Sequence, residues 1–169
     1  MDFRLETPST PSQFEQWASI MERVSGDVYD VDELAHVIQD DEESAWILAF
    51  GGEETLGCGV GRPSSIAGSL YAMARVLPNH RGQGVGSALY QTLSEHAARL
   101  GLTSLWGRIE EGDVASLRFA ENRGFREVSR EYEVVLDVAE ADTSVGPPDG
   151  VELVSLAEVS PTPSSASAG

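Results

Sequence analysis

Three glycines at alternating positions, in the stretch Arg81-Gly82-Gln83-Gly84-Val85-Gly86, constrain this chain more than any other feature. A strand-like apolar run, Leu70 to Leu77, precedes them, and a helix-like run, Ser87 to Leu100, follows. A backbone with so few side chains can curl, admit a ligand closely and aim several N–H groups at one point. The helix start adds partial positive charge. Arg81 adds a full one, so the stretch reads as an anion site, most naturally for phosphates. A glycine-rich turn that merely starts a helix is the alternative at this point.

Two other glycine loops do not fit. The dinucleotide fingerprint needs G-x-G-x-x-G, whereas these glycines run G-x-G-x-G. The nucleotide P-loop ends in G-K-[ST], whereas Gly86 is followed by Ser87 and Ala88. Both loops also belong to parallel βαβ units, and the run before this one reads as an antiparallel meander.

The wider segment, Val76-Leu77-Pro78-Asn79-His80-Arg81-Gly82-Gln83-Gly84-Val85-Gly86-Ser87-Ala88-Leu89, resembles the acyl-CoA pyrophosphate signature of the GNAT superfamily of N-acetyltransferases, V-x-P-x-x-R-G-x-G-[IV]-G-x-x-L. Downstream, Asp113-Val114-Ala115-Ser116-Leu117-Arg118-Phe119-Ala120-Glu121-Asn122-Arg123-Gly124-Phe125 is similar to that family's helix-to-strand segment, N-x-x-[AS]-x-x-F-[YA]-x-x-x-G-F. Order and separation match, and the resemblance spans roughly residues 2 to 137. It implies an α/β fold with a mixed (α+β) sheet and helices on both faces. It also implies acetyl-CoA as co-substrate, with no metal, and acetyl transfer to a primary amine by direct attack through a tetrahedral intermediate. The backbone of Val76 and Leu77 would bond the pantetheine arm. Arg81, Gly82, Gln83, Gly84, Val85, Gly86 and Ser87 would form the pyrophosphate cradle. The Leu77 N–H would stabilise the oxyanion.

Composition sets limits. A chain of 169 residues fits one domain. A net charge of -17 argues against nucleic acid held by general electrostatics and allows attraction of a cationic substrate. Met1-Asp2-Phe3-Arg4 does not read as a signal peptide, no apolar run approaches a membrane span, and the single Cys58 has no disulfide partner. A cytoplasmic protein without membrane or nucleic-acid partners is expected, acting on a small-molecule amine or a peptide N-terminus. A homodimer is compatible with this reading.

Along the chain, Phe3 to Thr7 reads as an edge strand, Thr10-Pro11-Ser12 as a helix start, and Asp32 to Gln39 as a second helix. Strands are expected at Ala45–Phe50, Thr55–Gly61, Ser69–Leu77 and Thr103–Ile109, with a long final strand from Phe125 to Val138. Leu56, Cys58 and Val60 should share one face of their strand, with glycines on the other. The crossover from Ser69 to Ile109 makes its two strands parallel. Residues 1–138 would then form the domain and 139–169 a linker and low-complexity tail. Val151 to Glu158 resembles the opening strand of a second such domain, as in a shortened tandem GNAT protein.

The chemistry demands a base, because an alkyl amine of pKa about 10.4 is only about a thousandth neutral at pH 7. Glu110 and Glu111 follow the fifth strand, and Glu110 is the expected base. Arg75 and Arg108 lie on the two central strands, able to take a substrate carboxylate or to pair with nearby acids. Many family members carry a tyrosine that protonates the thiolate where this chain has Ala120, and an asparagine where it has Asp113. These departures keep open two alternatives: an acyl-CoA-binding module with weak or no catalysis, and the non-catalytic half of a tandem assembly. His36, His80 and His96 lack metal-ligand spacing, and Cys58 suits a core.

Overall fold

The computed structural model describes residues 3–140 and 146–155, and the chain divides into two compact units, Met1–Arg126 and Glu127–Gly169. The first unit holds a five-stranded sheet in the order β1-β2-β3-β4-β5. Its strands are β1 (Arg4–Glu6), β2 (Ala45–Gly51), β3 (Glu54–Pro63), β4 (Ser69–Val76) and β5 (Ser104–Trp106). All neighbours are antiparallel except β4 and β5, which are parallel because helix α3 (Val85–Arg99) crosses between them.

Helices α1 (Pro11–Ser25) and α2 (Val31–Asp40) cover one face of this sheet. Thr10 starts α1 with a reciprocal capping box: its hydroxyl accepts the Gln13 N–H while the Gln13 side chain accepts the Thr10 N–H. Phe14, Trp17, Ile20 and Met21 then point into a core with Trp46, Leu48, Cys58, Val60 and Met73. Helix α3 covers the other face, where Val85, Leu89 and Leu93 meet Ile47, Ala49 and Leu56. Burying each of these leucines contributes about 1.5–3 kcal/mol. The glycines of β3 explain how close α3 lies. A Cβ on Gly61 would sit 2.8 Å from a Leu70 methyl and 2.9 Å from a Leu93 methyl. Helices on both faces of a mixed sheet match the expected fold.

Three expectations need correction. Leu56 does not share a face with Cys58 and Val60. The register shifts between Ala49 and Phe50, so that Ala49 pairs with Gly57 and Phe50 with Thr55. Leu56 is the extra residue of that bulge, and the bulge turns it to the α3 side. The fifth strand is short, ending at Trp106 rather than Ile109. A Cβ on Gly107 would lie 2.6 Å from the Ala72 carbonyl oxygen, which marks the last close approach of the two strands. Finally, no strand runs from Phe125 to Val138. After helix α4 (Val114–Glu121) the chain is irregular, and Val134 and Val135 are 91% and 99% exposed. The first compact unit ends at Arg126.

Within the second unit, Arg130 pairs with Glu127 at 3.0 Å and a short 3-10 turn spans Val138–Glu140. Residues 151–155 of the expected second-domain strand are irregular, and 156–158, with the rest of the tail, fall outside the described residues.

Candidate functional site

Strand β4 outruns its parallel partner. Only Ser69, Leu70 and Tyr71 pair with β5, opposite Ser104, Leu105 and Trp106. Beyond Ala72, β4 continues to Val76 against β3 alone. The Leu77 N–H donates to the Leu56 carbonyl at 2.9 Å, on the β3 side. Backbone direction alternates along a strand, so the N–H groups of Ala74 and Val76 face the opposite, open edge. The Leu77 N–H, expected to stabilise an oxyanion, is thus bonded inside the sheet, whereas those of Ala74 and Val76 face its open edge.

The chain leaves β4 through Pro78, forms a 3-10 turn over Pro78–His80, and enters the glycine loop. Gly82 has φ +74° and Gly84 φ +93°, conformations that side chains other than glycine rarely adopt. Gly84 is the N-cap of α3 and has no side chain to cap it. The first intrahelical bond there is from the Ala88 N–H to the Gly84 carbonyl, at 3.1 Å. Helix geometry leaves the Val85, Gly86 and Ser87 N–H groups without an intrahelical acceptor. They form the anion-directed end of the helix.

Two arginines flank that end. The Arg81 Nε donates to the Val76 carbonyl at 3.2 Å, bracing the loop against the open edge of β4. Arg123, which the sequence reading passed over, donates to the Ser87 hydroxyl at 2.6 Å and to the Phe119 carbonyl at 3.0 Å. Its guanidinium lies over the Phe119 ring, 3.5 Å from the centroid. Phe119 in turn lies beside Gly86, where a Cβ would be 3.5 Å from the ring. Arg123 occupies a position the downstream motif leaves free, so only its place just before Gly124-Phe125 hinted at a role.

Asp113 caps α4, accepting the Ser116 N–H at 3.0 Å and the Ser116 hydroxyl at 2.7 Å. These bonds, the hydroxyl's first, hold its carboxyl below the usual carboxylate range against the opposing effect of burial, with the Arg81 charge a still smaller aid. A carboxylate so stabilised is a poor proton acceptor. Glu110 is exposed, in the turn after β5, and its carbonyl accepts the Asp113 N–H at 3.0 Å. Ala120 is buried. Cys58 is fully buried, and burial pushes its thiol pKa far up. Among the described residues no group of three or more His, Cys, Asp or Glu stands together as a metal site, and no helix is long and apolar enough to cross a membrane.

The α1/α2 face of the sheet carries a second set of residues. Arg62, Tyr71 and Trp106 are cross-strand neighbours on β3, β4 and β5. The Arg62 guanidinium lies 5.3 Å from the Tyr71 centroid, Tyr71 meets Trp106 edge-on at 5.1 Å, and Arg108 lies 5.9 Å from the Trp106 ring. Tyr29, from the α1–α2 connection, packs edge-on against Trp17 at 5.3 Å. Burial, then the charge of Asp27, raises its phenol pKa. Arg75 projects onto this face from between Ala74 and Val76 and reaches the Ser25 hydroxyl at 3.4 Å. Farther along, a cavity of about 470 Å³ is lined by Arg23, Glu54, Thr55, Leu77, Pro78, Asn79 and His80, with His80 3.1 Å from Glu54. It includes neither the loop glycines nor Glu110.

The fold is shared with known proteins. The fold is similar to that of the ribosomal-protein-S18-alanine N-acetyltransferase from Escherichia coli, with a TM-score of 0.62 and 16% identity, over 76% of this chain and 80% of that one. It is similar to the aminoglycoside 6'-N-acetyltransferase AAC(6')-Ih from Acinetobacter baumannii, with a TM-score of 0.64 and 18% identity, over 81% of this chain and 99% of that one. It is also similar to AAC(6')-Iy, solved with a CoA-containing bisubstrate analogue, with a TM-score of 0.64 and 16% identity, over 80% and 97% of the two chains. No curated protein matches the sequence. The model of the acetyltransferase (GNAT) family matches residues 11–125, from the start of α1 through the end of the second motif. With more than half of its length under that model, and with the sheet, the glycine loop and both motifs in place, the chain belongs to the GNAT acetyltransferase family.

Proposed function

We propose that this chain transfers an acetyl group from acetyl-CoA to a primary amine. The observation that carries the reading is the meeting of two features: the open edge of β4 at Ala74 and Val76, and the uncapped glycine start of α3. The first offers backbone N–H donors in extended form, which suits the amide-bearing pantetheine arm. The second offers the Val85, Gly86 and Ser87 N–H groups, with Arg81 and Arg123 nearby, which suits a pyrophosphate. Each charge-assisted bond to phosphate would contribute roughly 1.5–3 kcal/mol. Acetyl-CoA as donor is supported also by the CoA-containing analogue bound by AAC(6')-Iy.

In this reading the amine approaches the thioester from the α1/α2 face, opposite α3. Its nitrogen forms the new C–N bond, the C–S bond breaks, and CoA leaves as the thiolate. The Ala74 and Val76 N–H groups take the role first given to Leu77 and stabilise the oxyanion. Glu110 accepts the amine proton, directly or through water, from its position beyond β5. With Ala120 in place of the tyrosine, the thiolate takes its proton from solvent, which its modest basicity permits, a thiol pKa being about 8.5.

The second reading is an acyl-CoA-binding module without catalysis, favoured by buried Ala120 and by the exposure of Glu110. A thiol-release assay separates the two. The panel should include polyamines, aminoglycosides, amino acids and peptides beginning with alanine. Acetyl-CoA-dependent turnover with at least one amine is expected. Thermal stabilisation by acetyl-CoA with no thiol release from any amine would leave only the binding module.

A further inference from the structure

We infer that the acceptor is an amine that also carries a carboxylate, and that Arg75 binds that carboxylate. The inference rests on the reading above and names the substrate class of the same site.

The argument begins with Arg75. It is half-buried on β4, between the two residues whose N–H groups face the open edge, and its side chain lies on the α1/α2 face, where the acceptor enters. Its hydrogen bonds are to the Ser25 hydroxyl and the Ala74 carbonyl, both at 3.4 Å, and both long for an N–H donor. Among the described residues no carboxylate pairs with it, in a chain of 28 acidic residues. A half-buried guanidinium presents five donors in a planar fork and is normally matched by an anion. Here, among the described residues, two long contacts to neutral oxygens stand where an anion would.

The surroundings select in the same direction. On the same face Arg62 stands on the Tyr71 ring and has no acidic partner among the described residues. Both arginines favour an acid over a polyamine. Tyr71 and Trp106 supply flat apolar walls for the remainder of the acceptor. An α-amino acid or the carboxyl end of a short amino peptide, with an aromatic or apolar side chain, satisfies all three features.

The test compares acids with their amides. L-Phenylalanine and alanyl-phenylalanine are assayed against the corresponding C-terminal amides, with spermine and kanamycin as cationic acceptors, in the thiol-release assay at saturating acetyl-CoA. The free acids are expected to exceed their amides by roughly 10- to 100-fold in kcat/KM, the range for one charge-assisted pair. Arg75→Gln should abolish that preference, with the loss in KM, and leave acetyl-CoA affinity within twofold. Acids and amides used equally, or spermine or kanamycin used best, overturn the inference. A second readout is independent of turnover: calorimetric titration of the CoA-saturated protein with N-acetylphenylalanine and with its amide. Tighter binding of the acid, lost in Arg75→Gln, supports the inference, and equal binding refutes it. Failure of the donor reading looks different, because acetyl-CoA would then give no thermal stabilisation at all.

Discussion

Gly84→Ala separates the fold from the ligand site at a single atom. Gly84 has φ +93°, and an added Cβ would meet nothing nearer than a Phe3 ring carbon at 4.0 Å. The side chain therefore fits sterically, and the cost is backbone strain of about 1–2 kcal/mol for an L-residue in this region. For a unit of this size that lowers Tm by about 2–8 °C. Gly82→Ala is the matched control, with φ +74° and open space around its Cβ. The two variants should lose similar stability. They should differ in ligand response, because Gly84 is the N-cap whose backbone the phosphate would approach in the proposed site. Wild type at acetyl-CoA 100 times its dissociation constant gains roughly 2.7 kcal/mol. If the added methyl weakens binding about 100-fold, Gly84→Ala at the same concentration gains only about 0.4 kcal/mol. The measurement is a pair of melts, with and without acetyl-CoA, for the three proteins. An undiminished ligand-induced rise in Gly84→Ala would show that the phosphates lie elsewhere.

Other perturbations test other parts. Glu110→Gln should lower kcat/KM by about 100-fold near pH 7, the lower range for general-base loss, and by much less near pH 10, where the amine is already neutral; an equal loss at both pH values would remove Glu110 as base. Asp113→Ala should cost about 0.5–2 kcal/mol at pH 7, as for other N-caps. Because the folded-state pKa of Asp113 is depressed, its stabilising effect is present above its unfolded value of about 3.9 and is lost as pH falls through the folded value. The stability gap between wild type and Asp113→Ala, followed by denaturant melts, should therefore shrink below about pH 4, and a constant gap would contradict the bonding described. Cys58, buried and held as the thiol, should resist iodoacetamide in the native protein and react once it unfolds.

Much of this structure was legible in the sequence because the determinants are local. The Thr10 cap, the apolar stripes of α1 and α3, the proline after β4 and the alternating glycines each act within a few residues. What stayed hidden depends on the register between strands. Leu56 has the same alternation with Cys58 and Val60 in the sequence whether or not a bulge intervenes, and the bulge reverses its face. The Leu77 N–H was misplaced for a related reason: which edge a backbone group faces follows from pairing with β3. Arg123 escaped because its importance comes from the approach of α4 to α3, through Phe119 and Ser87. The segment after Arg126 shows the limit of pattern alone. Val134, Val135 and Leu136 are apolar as a strand should be, yet all three are exposed and, among the described residues, no strand forms there.

The unequal lengths of the two central strands have a mechanical consequence. Strand β4 is clamped along its length to β3, whereas β5 is joined to it at three residue pairs. One wall of the opening is stiff and the other compliant, since releasing β5 breaks few hydrogen bonds. Amide protons of Ser104 to Trp106 should exchange well before those of Met73 and Arg75. In the proposed reaction the stiff wall would set the position of the reacting carbonyl, while the compliant one would yield to acceptors of different bulk, so that the gap would adapt its width without moving its chemistry.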